Sequence, residues 1–216
     1  MTEAEWQSCG DPHAMLDFLD AQASPRKLRL LACACCRRLW TNLSSEARRS
    51  VETAELFADR KVGPKDLRGA RGPCYSGLRA DNSASFAAAP SQSFRRYART
   101  ALLHAAWSAG WPSWVERVRP ETEAAEKVAQ AMLVRDIFGN PFQPVSIART
   151  WLAWNLGTVR KMAQAIYDDR RFDDLPILAD ALEEADCMDS DILSHCRASA
   201  AHVRGCRVLD ALLGKS

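Results

Sequence analysis

The chain has 216 residues, of which 47% are hydrophobic and 26% are charged. This composition supplies enough apolar side chains for a buried core and excludes disorder along most of the length. The net charge of +2 is unevenly spread, because residues 24–120 hold 18 Lys and Arg against 7 Asp and Glu, whereas residues 121–216 hold 11 against 15. The basic 24–120 region is compatible with a nucleic-acid face. The competing interpretation is that two oppositely charged halves attract each other.

The first 70 residues contain a series of helix-start signals. Thr2 with Glu5 forms a capping box, and Asp11-Pro12 and Ser24-Pro25 each place a capping side chain before a proline at the first helical position. These signals, with the apolar spacing behind them, predict helices that begin near residues 2, 11, 24, 45 and 63.

Residues 71–93 interrupt this pattern. They are rich in Gly, Pro and Ser, which predicts a loop or weakly ordered insertion between helical subdomains at 1–70 and 94–216, unless these pack as one domain. Helical spacing then resumes and predicts helices over 93–109, 120–137, 144–154, 158–169, 175–185, 190–197 and 201–213. The alternation typical of strands is missing. The sequence therefore predicts an all-α fold, a compact and bundle-like arrangement of short helices.

The cysteine usage indicates a reducing compartment. Three of the eight cysteines, Cys33, Cys35 and Cys36, fall within one predicted helical turn, where mutual pairing is geometrically poor. The first 20 residues contain five acids and no basic residue, unlike a signal peptide, and the uncharged run between Arg99 and Glu116 is too short for a bilayer span. We therefore expect a cytoplasmic, reduced, cysteine-rich protein with no membrane segment.

Metal-ligand side chains concentrate near the C-terminus. Two of the four histidines and two of the eight cysteines, namely His195, Cys196, His202 and Cys206, fall within twelve residues. His202 and Cys206 are spaced i, i+4, so in a helix they would share one face, as pairs of zinc ligands often do. These four residues are the candidate metal ligands, with Cys187, Cys35 or Cys36 as further sources of a fourth ligand.

A purely structural interpretation competes with this metal site. No Cys-x-x-Cys pair anchors the cluster, and its spacing matches no zinc finger. Cys206 is in helical register with Val203, Leu209 and Leu213, so it could simply belong to a buried apolar stripe.

The segment from 135 to 142, RDIFGNPF, is the most distinctive predicted loop. Asn140 precedes a proline and is restricted to extended backbone, and Phe142 is expected to fix the turn in the core. We take Arg135, Asn140 and Phe142 as a candidate binding loop. Glycine-rich nucleotide motifs and the Gly-x-Ser-x-Gly motif are absent from the sequence, and no catalytic residue is predicted.

Three groups of phrases carry a family resemblance: the opening EAEWQSCGDPHAMLDFL with ASPRKLRLLACACCRRLW, the central LVRDIFGNPFQPV, and the closing LPILADALEEADC with HVRGCRVLDALLGK. They resemble a large family of bacterial hypothetical proteins with many paralogues, which sometimes carry SMI1/KNR4-like or repeat-companion modules. Members usually have an aromatic residue after the last cysteine and a Gly-Pro-Gly-like turn before HVRGC. Here Arg207 and Ala198-Ser199-Ala200 stand at those places. The resemblance implies no established activity, cofactor or catalytic residue.

The sequence therefore favours a non-enzymatic cytoplasmic protein-interaction or scaffold module with an unidentified protein partner. The many paralogues of the resembled family fit partner-specific binding better than one shared chemistry. One alternative is a zinc-stabilised module, or a small thiol- or metal-dependent enzyme, centred on residues 195–206. A second is nucleic-acid binding through the basic 24–120 region.

Overall fold

The computed structural model describes residues 1–71, 79–89, 94–110 and 120–215. Within them the chain forms twelve α-helices and no strand, so the predicted all-α fold is confirmed. The helices are α1 (Glu3–Ser8), α2 (Pro12–Leu19), α3 (Pro25–Arg38), α4 (Ser45–Ala58), α5 (Pro64–Ala70), α6 (Arg79–Ala87), α7 (Phe94–Gly110), α8 (Pro120–Phe138), α9 (Arg149–Asp169), α10 (Leu175–Glu184), α11 (Ser190–Arg197) and α12 (Arg207–Leu213). None of the described helices is long and apolar enough to cross a lipid bilayer.

The chain divides into two compact units, Met1–Arg135 and Asp136–Ser216. The sequence placed the division at 71–93 instead. Helix α6 lies inside that stretch, while 72–78 and 90–93 fall outside the described residues. Because α3 packs on both α6 and α7, and α4 packs on α6, the helices on either side of 71–93 share one core.

The predicted helix starts of the first unit are confirmed. Thr2 accepts from the amide of Glu5 at 3.3 Å, and the Glu5 carboxylate accepts from the amide of Thr2 at 2.7 Å. The side chains of Asp11 and Ser24 accept from backbone amides in the first turns of α2 and α3, each with proline at the start of the helix. These caps satisfy amide groups that have no partner within their own helix. Each cap involves residues only two or three positions apart, so the sequence predicts it without knowledge of the tertiary fold.

Helix α3 buries the three clustered cysteines. Cys33, Cys35 and Cys36 have 0–1% of their surface exposed, and burial raises the pKa of the Cys36 thiol to about 12. They are therefore protonated packing residues. The next two residues of the helix face acids: Arg37 donates to Glu55 at 2.6 and 2.8 Å, and Arg38 donates to Glu126 at 2.9 and 3.0 Å.

The core of the second unit is built by α9 to α12. Helix α9 is interrupted where the sequence predicted two separate helices, because Asn155, Leu156 and Gly157 have left-handed backbone at φ of 44°, 56° and 80°. The helical structure begins at Arg149, so residues 144–148 of the predicted 144–154 helix are not helical. Leu156 is 88% exposed at this turn.

The predicted helix over 201–213 is wrong in its first half. Helix α12 begins at Arg207, and Gly205 has a φ of 92°, which is outside helical backbone. The amide of Val203 donates to the Asp136 carboxylate at 3.1 Å, and the amide of Cys206 donates to the carbonyl of Val203 in a turn. His202 therefore lies in a connecting segment, and the predicted helix face shared by His202 and Cys206 does not form.

Helix α8 ends at Phe138 because Gly139 takes a left-handed conformation with φ of 74°. A Cβ atom at Gly139 would lie 2.7 Å from Cδ of Arg207, closer than real Cβ contacts come. Gly214, at the C-terminal end of α12, is also left-handed with φ of 66°, but a Cβ there would meet nothing within 4 Å. An alanine at Gly214 would therefore meet backbone strain alone, whereas an alanine at Gly139 would meet backbone strain and a steric overlap with Arg207.

We expect Gly214→Ala to lower the free energy of unfolding by about 1–2 kcal/mol, which is the cost of left-handed backbone for an L-residue. Gly139→Ala should lose about 1 kcal/mol more, because the Arg207 side chain must leave its rotamer. Urea denaturation followed by circular dichroism measures both variants. Equal losses would show that the approach of Arg207 to Gly139 is unimportant.

Candidate metal centre

Four side chains of the second unit converge on one buried point: Asp136, His195, His202 and Cys206. Asp136 lies in the last turn of α8, and His195 lies in α11. His202 comes from the segment between α11 and α12, and Cys206 is the N-cap residue of α12. One ligand atom from each residue lies within 4.8 Å of the other three.

The contacts within the cluster are short. Nε2 of His195 is 3.1 Å from Sγ of Cys206, and it is 3.5 Å from Oδ1 of Asp136. The same oxygen is 2.7 Å from Nδ1 of His202. Bonds of 2.0–2.3 Å to a tetrahedral zinc ion would hold neighbouring ligand atoms about 3.3–3.6 Å apart. The separations of His195 from Cys206 and Asp136 are close to these values, whereas the 2.7 Å contact between Asp136 and Nδ1 of His202 is a hydrogen bond that would have to break for both residues to bind the ion.

One ring nitrogen in the cluster lacks a hydrogen bond. Because a carboxylate oxygen can only accept, the 2.7 Å contact with Asp136 assigns the proton of His202 to Nδ1. Nε2 of His202 then carries a lone pair, and this buried atom finds no hydrogen-bond partner among the described residues. A buried polar atom without a partner costs about 1–3 kcal/mol, and a cation would remove that cost.

Burial sets the protonation of the other two ligand residues. It lowers the pKa of His195 to about 4, against a smaller opposing effect of the Asp136 carboxylate, so the imidazole is neutral at pH 7. A neutral imidazole is the form that binds metals. Burial also raises the pKa of the Cys206 thiol well above its ordinary value, and Asp136 adds to this effect. A bound divalent cation would favour the thiolate.

Three of the four sequence-predicted ligands therefore come together, and Cys196 does not join them. Cys196 follows His195 directly in α11, and consecutive residues of a helix point in different directions. Its side chain is fully buried in the core of the second unit, and burial raises the pKa of its thiol to about 12. Cys187 lies in the same core, and Cys35 and Cys36 are buried in the first unit.

Sequence reasoning missed Asp136. The available signal was an acidic residue three positions after Leu133 and directly before Ile137, on the apolar side of the predicted helix. Asp136 is indeed only 6% exposed. A buried carboxylate needs hydrogen bonds or a cation, so an acid in an apolar register marks a candidate site.

The predicted binding loop has structural contacts. The Arg135 guanidinium donates to the carbonyls of Trp6 and Cys9, at the C-terminal end of α1, where helix carbonyls lack partners. Asn140 accepts from the amide of Phe142 at 3.0 Å and fixes a tight turn. Phe142 is 42% exposed, so the expectation that it fixes the turn in the core is wrong.

Comparison with protein-family models, with curated proteins and with solved structures gives no match for this chain. The interpretation of the cluster rests on its own geometry and chemistry.

The low pKa of His195 predicts an acid-dependent loss of stability in the metal-free protein. The unfolded chain takes up this proton near pH 6.5 and the folded protein only near pH 4, so protons favour unfolding in that window. The free energy of unfolding should fall by about 1.4 kcal/mol per pH unit from this group. Above pH 6.5 the titration of His195 no longer changes the free energy of unfolding.

His195→Gln lacks the titrating group and serves as the reference. The difference in unfolding free energy between wild type and His195→Gln, from urea titrations, should shrink as the pH falls from 7 to 4.5. A difference that stays constant over this range would contradict the buried neutral imidazole.

Proposed function

We propose that the second unit binds one divalent transition-metal ion, zinc above others, through Asp136, His195, His202 and Cys206. The observation that carries the proposal is the convergence of these four groups at one buried point. They come from four different parts of the chain, so the arrangement requires the tertiary fold. The ion would have a structural role in closing the second unit.

The donor set favours zinc. Imidazole nitrogen and thiolate sulfur with one carboxylate oxygen match the ligands that zinc takes, whereas calcium and magnesium prefer oxygen alone. The charge of the four side chains also favours a divalent cation. The Asp136 carboxylate and a Cys206 thiolate carry two negative charges, and the two imidazoles are neutral. A divalent cation makes the site neutral, which minimises the cost of burying it.

The site supports a structural ion better than a catalytic one. Catalytic zinc keeps a coordination position open for water or substrate, while here the protein offers four ligands. The side chains of Asp136, His195 and His202 are 5–12% exposed, and Cys206 is fully buried. A thiol- or metal-dependent enzyme would need access that these side chains do not offer, so the proposed module is non-enzymatic.

Wild type should bind one zinc ion per chain, measured by elemental analysis and by titration with Co²⁺, whose thiolate charge-transfer band reports Cys206. Cys206→Ser should lose that band and weaken metal binding at least tenfold, because zinc prefers thiolate over hydroxyl ligands. Cys196→Ser, which removes a buried thiol in the same core, is the matched control and should bind as wild type does.

The opposite pattern is equally informative. Loss of binding in Cys196→Ser with retention in Cys206→Ser would overturn this ligand assignment. Protein without stoichiometric metal after exposure to zinc would remove the proposal altogether.

Protein binding is the second proposed function, favoured by Leu156. An apolar side chain is held 88% exposed at a turn whose left-handed backbone costs about 1–2 kcal/mol for each residue with a side chain. Strain of this kind is common where a residue is presented to a partner. Arg149, Arg160 and Lys161 are the exposed charges of this helix nearest the turn, while Asp168 and Asp169 are exposed at its far end, so we propose an acidic protein partner. The described cysteines are free thiols, which supports the proposed cytoplasmic location.

Leu156→Glu should abolish capture of any such partner, because it replaces the apolar contact by a charge that repels an acidic surface. Ile177→Glu is the matched control, since Ile177 is a 56% exposed apolar residue of the same unit. Quantitative affinity capture compares the variants with wild type. Identical recovery by wild type and Leu156→Glu would contradict a role for this turn.

Nucleic-acid binding through residues 24–120 has weaker support. Several arginines of this region face acids within the first unit, including Arg26 with Asp59 at 3.0 Å and the pairs made by Arg37 and Arg38. Arginines committed to carboxylates are less available to phosphates.

A further inference from the structure

We propose that the metal ion locks the connecting segment Ala198–Cys206 onto α8 and α11, and that loss of the ion releases this segment. The inference rests on the proposed metal site and adds a conformational consequence to it. Two of the four candidate ligands, His202 and Cys206, belong to the segment, while Asp136 and His195 belong to the helices that it faces. An ion bound by all four would join the segment to both helices.

The first half of the segment has little apolar packing, whereas Arg204 and Cys206 at its end are buried. Residues 198–201 are exposed, and Val203 is half-buried. Segments with few buried apolar contacts open at a lower free energy than the core does. The contacts of its second half are polar: the Val203 amide donates to Asp136, and the Arg204 guanidinium donates to the carbonyl of Asp168 at 3.1 Å.

The Asp136 carboxylate accepts most of the hydrogen bonds that hold the segment. Its Oδ1 meets His202, and its Oδ2 accepts from the Val203 amide. Without a cation this carboxylate lies beside the neutral His195, and Nε2 of His202 has no hydrogen-bond partner among the described residues. Exposure of the segment to water would satisfy both groups, which favours its release when no ion is bound.

The sequence also supplies an alternative conformation for the released segment. Val203, Cys206, Leu209 and Leu213 are in helical register, and two alanines precede His202. A helix extended back to Ala201 would take the Val203 amide away from Asp136. The cost is Gly205 within a helix, about 1 kcal/mol.

Trypsin cleavage after Arg204 measures the release. Arg204 is 8% exposed in the closed segment, where its guanidinium also lies 5.4 Å from the ring centroid of Tyr167. Removal of zinc from the full-length protein should accelerate cleavage after Arg204 at least tenfold. Cleavage after Arg171, whose side chain is 55% exposed in the turn before α10, should keep its rate.

Two variants and one further measurement complete the test. His202→Ala should show fast cleavage after Arg204 with or without zinc, and Cys196→Ser should behave as wild type does. Amide hydrogen exchange at Val203, followed by mass spectrometry, should be slow with zinc and fast without it. This second readout does not depend on how trypsin reaches the chain.

The failures of the two proposals are distinguishable. Stoichiometric zinc binding with unchanged cleavage after Arg204 and unchanged exchange at Val203 would overturn the lock and leave the metal site standing. Equal acceleration at Arg171 and Arg204 would show that the whole second unit unfolds, which also overturns a local lock. If zinc does not bind, both proposals fall.

Discussion

The second unit depends on one buried carboxylate, that of Asp136. Its two oxygens contact His202, His195 and the Val203 amide, which lie far along the chain from α8. A carboxylate taken out of water costs several kcal/mol unless hydrogen bonds or a cation compensate it. The hydrogen bonds of Asp136 therefore tie the segment after α11 to the C-terminal turn of α8 and place both histidines beside the carboxylate.

Burial sets the protonation of the groups around Asp136. It favours neutral His195 and, without a metal, the protonated Cys206 thiol. The proposed divalent ion would reverse the preference of the thiol and would bring the total charge of the four groups and the ion to zero. The low exposure that makes the cluster unsuited to a reacting substrate is thus the property that makes it suited to a structural ion.

Agreement between sequence and structure is best where the cause is local. The capping side chains Thr2, Asp11 and Ser24 act within one helical turn, so they could be read directly from the chain. The start of α12 could not, because the 201–206 pattern is helical by spacing, whereas in the fold Gly205 leaves helical backbone and the Val203 amide donates to Asp136, which is distant in the chain. For the same reason Cys196 was predicted as a ligand and Asp136 was missed, since proximity in sequence is a poor guide to which atoms meet.

The amino-acid sequence by itself determined the all-α class, most helix starts, the buried thiols of α3 and the C-terminal concentration of histidine and cysteine. These follow from apolar periodicity and from contacts that span only a few residues. Tertiary structure alone decided that the compact units are Met1–Arg135 and Asp136–Ser216, that α12 begins at Arg207, and that a carboxylate of α8 completes the cluster. Each of these depends on contacts between residues far apart in the chain, whose formation is governed by burial and charge compensation rather than by local spacing.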